Sequence, residues 1–110
     1  MHKLTIFFYT PPSNQEFDQQ SWQKFMGLAE KMPDLRRETV SDVDEFIFGG
    51  QGRGYAKIHE FYFDSRAALD AALQSEAGQV AGAFLHEFTH KRFTMIIAEH
   101  KEALPKEFVT

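Results

Sequence analysis

His86-Glu87-Phe88-Thr89-His90 spells HExxH, the pattern in which two histidines one helical turn apart ligate zinc and the glutamate between them activates a water. That chemistry needs an unbroken helix through His90 and a third protein ligand. Thr89 is β-branched and Lys91-Arg92 leads straight into an Ile- and Thr-rich segment, so His90 is expected past the helix end. Glu99, His100 and Glu102 offer third ligands by type alone, and a chain of 110 residues is small for a protease cleft. The pattern is read as a chance match, with no metal and no cofactor expected. Gly50-Gln51-Gly52-Arg53-Gly54 invites a phosphate-cradling reading, because glycine-rich backbone binds anions where a strand turns into a helix. Here the glycines lie between two strand-like segments, which makes them a hairpin loop.

Glu60 is the more useful candidate. It sits mid-strand between Ile58 and Tyr62, and strand alternation sends Glu60 and Tyr62 to one face if Phe61 and Phe63 pack under helices on the other. A carboxylate on a covered sheet face must be hydrated, hydrogen-bonded or raised in pKa, and such a group serves as acid or base. Glu60 is therefore the candidate catalytic residue; the competing reading is a glutamate at a wet rim, paired to an Arg or Lys of a partner. Tyr9 is expected to share this face. His59 alternates to the helix side, where a hydrogen-bonded core imidazole is the simpler reading. Trp22, Phe25 and Met26 have the spacing either of an apolar pocket wall or of ordinary core. The expected ligand cavity is bordered by Tyr9, Trp22, Phe25, Glu60 and Tyr62.

The elements that position these residues follow from periodicity. Leu4 to Tyr9 is β-branched and aromatic, apolar on both faces, and stopped by Pro11-Pro12. From a cap at Ser13 or Asn14, Phe17, Trp22, Phe25, Leu28, Ala29 and Met32 keep near-helical spacing up to about Lys31, ahead of Pro33. A second strand is expected within Leu35 to Phe48 and a third over Ala56 to Phe63. Asp64-Ser65 caps an alanine-rich helix, Ser75-Glu76 restarts a helix, and Phe93 to Glu99 forms the last strand. Within that last strand, Phe93, Met95 and Ile97 compete with Thr94, Ile96 and Ala98 for the inner face. Residues 1–100 make one domain, and 101–110 a tail whose Leu104, Phe108 and Val109 dock or fray.

The order β-α-β-β-α-β is the ferredoxin-like plan, an α+β fold with an antiparallel four-stranded sheet and both helices on one face. Twelve Phe, three Tyr and one Trp make 15% of the chain, more than one such layer pair needs. Helices cover one sheet face, so the other is expected to be covered by a second copy, giving a homodimeric α/β barrel. A net charge of -4 supplies no field for phosphates, so nucleic acid is not an expected partner. No apolar run is long enough for a membrane span, no targeting segment is seen, and the absence of cysteine suits a reducing cytoplasm.

Phe61-Tyr62-Phe63-Asp64-Ser65-Arg66-Ala67-Ala68-Leu69, followed by Ser75-Glu76-Ala77-Gly78-Gln79, resembles the signature of the ethyl tert-butyl ether degradation (EthD) family in the dimeric α/β-barrel superfamily. There a strand ending in Phe-Asp-Ser feeds an alanine-rich helix and a Ser-x-x-Gly-Gln step. Met32-Pro33-Asp34-Leu35 is similar to the family's Leu-Pro-Gly-Leu, and Phe17-Asp18 matches its helix start. The resemblance covers nearly the whole chain and implies the same dimer, with a ligand-sized cavity and a role in degradative or secondary metabolism. Superfamily relatives isomerise lactones, cleave oxygenated aromatics or bind haem. Many members carry Tyr, Trp, His and Pro on helix one; ungapped alignment puts Gln20, Ser21, Phe25 and Gly27 there, so the histidine's place is taken by Phe25, which transfers no proton.

The expectation is an EthD-like homodimer that binds or modifies a small hydrophobic or aromatic metabolite. One alternative is a lactone isomerase or dehydratase-type enzyme with Glu60 as proton shuttle. The other is a non-catalytic accessory or assembly module.

Overall fold

The computed structural model describes residues 1–12, 15–49 and 54–106. Strands β1 (His2–Tyr9), β2 (Arg37–Asp42), β3 (Tyr55–Phe63) and β4 (Phe93–Glu99) form one antiparallel sheet in the order β2-β3-β1-β4. Helices α1 (Gln19–Ala29), α2 (Arg66–Gln74) and α3 (Glu76–Thr89) complete the ferredoxin-like α+β fold. Within one chain the sheet is open, with β2 and β4 at its edges, and is not a closed barrel.

Alternation divides the sheet cleanly. Leu4, Ile6, Phe8, Phe61 and Phe63 are buried against Trp22, Phe25, Leu69, Ala72, Ala81 and Leu85, so all three helices pack on one face. That core is aromatic at its centre: Phe8 meets Phe17 edge-on at 5.9 Å and Phe88 in a stacked pair at 6.2 Å, and Phe25 meets Phe61 edge-on at 6.2 Å. Register with β1 settles β4. Thr94, Ile96 and Ala98 lie beside Phe7, Thr5 and Lys3 on the uncovered face, and Phe93, Met95 and Ile97 lie on the helix side.

Two boundaries differ from expectation. Helix α1 starts only at Gln19, because Asp18 caps it by accepting the Ser21 amide at 3.0 Å. The expected cap at Ser13 or Asn14 lies outside the described residues, and Phe17 packs beside the core ahead of the helix. Strand β2 covers only part of Leu35 to Phe48: pairing with β3 stops at Asp42↔Lys57, leaving Ile47 and Phe48 92% and 96% exposed. Gly50 to Arg53 of the glycine run, and Phe108 and Val109 of the tail, also lie outside the described residues.

The break between α2 and α3 is built by Ser75. It ends α2 and caps α3, donating its hydroxyl to the Ala72 carbonyl at 2.6 Å and accepting the Gly78 amide at 3.0 Å.

Candidate functional site

On the uncovered face, Glu60 is the hub of a polar cluster. Tyr62 donates its hydroxyl to Glu60 Oε2 at 2.6 Å, Thr39 donates to the same oxygen at 3.2 Å, and Lys3 Nζ reaches Oε1 at 3.2 Å. Each comes from a different strand position, and the register that sets Glu60 opposite both Thr5 and Thr39 brings them together. Burial pushes the Glu60 carboxyl up, but the hydrogen bonds from Tyr62, Lys3 and Thr39 and the Lys3 charge outweigh it, so its pKa ends below the ordinary value. Glu60 is therefore an ionised, three-fold bonded carboxylate. It has the character of a weak base or an anchor, not of an acid holding a proton at neutral pH.

Tyr62 is itself buried. The Arg37 guanidinium stacks over its ring at 4.3 Å, and His100 meets it edge-on at 4.8 Å. Glu102 ties these two covers together, accepting from Arg37 at 2.7 Å and from His100 Nε2 at 2.8 Å, which holds its carboxyl down at about 2. Residues at the start of the tail thus roof this end of the face. Thr5, at the centre, is 2% exposed, and its hydroxyl is the only buried side-chain polar atom among the described residues without a hydrogen-bond partner.

Tyr9 shares the face, as alternation predicts, but at the other end, where its hydroxyl lies 2.6 Å from that of Thr94. A register slip after Phe8 leaves Ala56 as an extra residue and sets Tyr55 opposite Tyr9. The Tyr55 ring then lies 5.1 Å from Phe7, 5.3 Å from Tyr9 and 5.9 Å from Phe46. The uncovered face so has an aromatic end and a polar end.

Trp22 and Phe25 do not join this group. Both are buried on the opposite side of the sheet, so the five expected cavity residues are divided between two faces. What surrounds Trp22 is a buried polar chain. Its Nε1–H donates to His59 Nδ1 at 3.2 Å, which leaves the proton on Nε2, and Nε2 donates to Glu38 Oε2 at 3.0 Å. His59 is fully buried, and burial, with the neighbouring Lys57 charge, pushes its imidazole down to about 4. Burial and a hydrogen bond with Glu30 push Glu38 up to about 8. The His59–Glu38 contact is accordingly a neutral hydrogen bond near pH 7, not an ion pair. Lys57 is also buried on this side, with its ammonium 4.1 Å above the Trp22 ring and its charge paired to Asp42. Sequence reading found His59 and missed Lys57 and Glu38. The same alternation that placed His59 also places Lys57, two residues earlier, beneath the helices.

This network has a pH signature. Folded His59 refuses the proton that the unfolded chain takes up below its ordinary pKa of 6.5, so stability is lost as pH falls from there toward 4. Folded Glu38 keeps the proton that the unfolded chain releases above 4.5, so its contribution is lost as pH rises toward 8. The two slopes oppose between 4.5 and 6.5, and only the Glu38 slope survives above that. The thermal midpoint is expected to be flat across the shared window and to fall on the order of 5 °C by pH 8, a limb that Glu38→Gln removes. A wild-type midpoint as high at pH 8 as at pH 6 overturns this assignment.

The HExxH segment ends as expected. Helix α3 stops at Thr89 and His90 takes a left-handed conformation (φ 54°), while His86 Nδ1 bonds the Gly82 carbonyl at 2.8 Å. Among the described residues no group of three His, Cys, Asp or Glu side chains is placed to hold a metal, and no helix is long and apolar enough to cross a membrane.

No protein-family model matches the chain. An uncharacterized 11.0 kDa protein of Rhodococcus erythropolis, from the thcB-thcC intergenic region, is 28% identical over 105 residues, covering 96% of this chain and all of that one. The crystal structure of an EthD family protein from Bacillus halodurans superposes with a TM-score of 0.79 at 26% identity, covering 92% of this chain and 99% of its own. A dimeric ferredoxin-like protein of unknown function from a Jannaschia species superposes with a TM-score of 0.66 at 20% identity, over 91% of this chain and 100% of its own. The resemblance carried by Phe61 to Gln79 thus extends over nearly the whole chain, which is similar in sequence and fold to a protein of the EthD family.

Proposed function

We propose that the protein works as a homodimer whose open sheet faces meet, and that the enclosed space binds a small hydrophobic or aromatic molecule. The observation that carries this reading is the uncovered aromatic end of the sheet, where Phe7, Tyr9, Tyr55 and Phe46 cluster on the same face as the satisfied carboxylate hub at its polar end. Among the described residues no helix is left to cover those rings, and a second copy presents a matching surface. A further fact supports it: the Jannaschia protein of the same fold is dimeric. Within the pair, the ionised Glu60 orients the Tyr62 hydroxyl and fixes the polar end.

Light scattering at micromolar concentration is expected to give twice the chain mass, and a monomer there sinks the reading. The enzymatic alternative, Glu60 as proton shuttle in an isomerase or dehydratase, has the short Tyr62–Glu60 bond in its favour and the lowered Glu60 pKa against an acid role. Glu60→Gln separates the two. A binding protein keeps its dimer and its affinity for apolar ligands, whereas a shuttle enzyme keeps the dimer and loses turnover.

A further inference from the structure

At one end of the sheet each chain has a second concavity, which shares only Tyr9 with the aromatic cluster of the open face. It is a cleft of about 460 Å³ where the end of β1, the segment entering α1 and the end of α3 converge. Its floor is aromatic: Phe8, Phe17 and Phe88, the first ring packing against both others. Its rim is polar, with Gln15 and Glu16 on one side and His90 and Arg92 on the other. The second histidine of the HExxH pattern therefore has a structural address. The left-handed turn at His90 and Lys91 (φ 54° and 63°) ends α3 and leaves the imidazole on the cleft rim, instead of one helical turn below His86.

From this geometry we infer that the cleft is a binding site for a flat aromatic molecule carrying hydroxyl groups. The volume falls in the range of about 300–1,000 Å³ that holds small organic ligands, and such sites pair an apolar lining with a few polar groups. Aromatic rings on the floor select a ring to stack or meet edge-on. The rim sets the Glu16 and Asp18 carboxylates against the Arg92 guanidinium and adds the Gln15 amide and the His90 imidazole, so it does not favour an anion. It offers donors and acceptors together, which is what a hydroxyl substituent needs. Apart from Tyr9 the lining comes from outside the open-face cluster, so binding here is read out separately from the pairing of the open faces.

Titration of the intact protein with 2-naphthol, followed by ligand fluorescence and by backbone amide NMR, tests this. Saturable binding is expected, with shifts centred on residues 8–9, 16–18 and 88–92. Phe17→Ala removes one wall and is expected to weaken binding about tenfold. His90→Gly suits the left-handed position, so it removes the imidazole while leaving the thermal midpoint at or above wild type, and it is expected to weaken binding about threefold. No saturation up to the solubility of the probe, shifts centred instead on residues 55–62, or wild-type affinity in both variants would each overturn the assignment.

Discussion

Gly78→Ala is expected to cost about 3 kcal/mol or more and to lower the thermal midpoint by more than about 10 °C. A Cβ at this position would collide with the Ala72 carbonyl oxygen and come within 2.7 Å of the Leu73 oxygen and 2.9 Å of its carbonyl carbon. These are backbone atoms of the last turn of α2, held there by the Ser75 bridge, so no side-chain rotation relieves the clash. Gly82→Ala, one turn further along the same helix, is the control. Nothing lies within 4 Å of its added Cβ, and replacing a helical glycine is expected to stabilise by about 0.5–1 kcal/mol. Thermal melts of the two variants side by side decide the matter, and equal behaviour would mean that α2 and α3 do not approach as described. The result also gives the Ser75-x-x-Gly78-Gln79 step a physical meaning. Serine caps both helices, glycine lets them touch, and Gln79 donates its amide to the Gln74 carbonyl across the joint.

The second large effect is expected at His59. His59→Ala opens a void among the rings of Trp22, Phe25 and Phe61, which lie 5.5, 6.0 and 4.3 Å from the imidazole. It also leaves the buried Trp22 N–H without an acceptor and Glu38 without its donor. Together the lost packing and the unpaired indole amount to about 3 kcal/mol or more. His59→Gln, which retains one acceptor and one donor, is expected to recover part of the loss. Denaturant melts give the stability, and the Trp22 emission maximum reports the local change: a red shift is expected in the alanine variant. Unchanged stability and emission in His59→Ala would remove the network from any structural role.

Much of this architecture was readable from residue types. Alternation in β1 and β3 gave the two faces, because each strand carries large apolar groups on the helix side and a polar residue, Thr5 or Glu60, at the centre of the other. The α2–α3 break was visible in Ser75-Glu76. Periodicity failed where β propensity outran pairing: Val43, Phe46 and Ile47 look like strand, but β3 offers β2 no partner beyond Lys57 except one bond from the Val43 amide to Ala56. The candidate site was legible in part. Glu60, Tyr62 and Tyr9 fall on the predicted face, while Trp22 and Phe25 required knowing which side of the sheet α1 covers. The Arg37–Glu102–His100 roof depends on a meeting of β2 with the chain after β4, which no local pattern encodes. Lys57 and Glu38 were hidden for another reason: charged types are ordinarily assigned to solvent, and here ring contacts and neutralisation make their burial tolerable.

The serine joint between α2 and α3 bears on how the chain tolerates changes of length. One residue ends one helix and begins the next, with a glycine pressed against the preceding turn, so there is no slack in which an inserted or deleted residue could be absorbed. Any such change would rotate α3 by about 100° about its axis and carry Ala81 and Leu85 off the sheet. Asp44 to Gly49, outside the sheet ladder and mostly exposed, carries no such constraint. Length variation among chains of this kind should therefore collect between β2 and β3, while the spacing from Ser65 to Leu85 stays fixed.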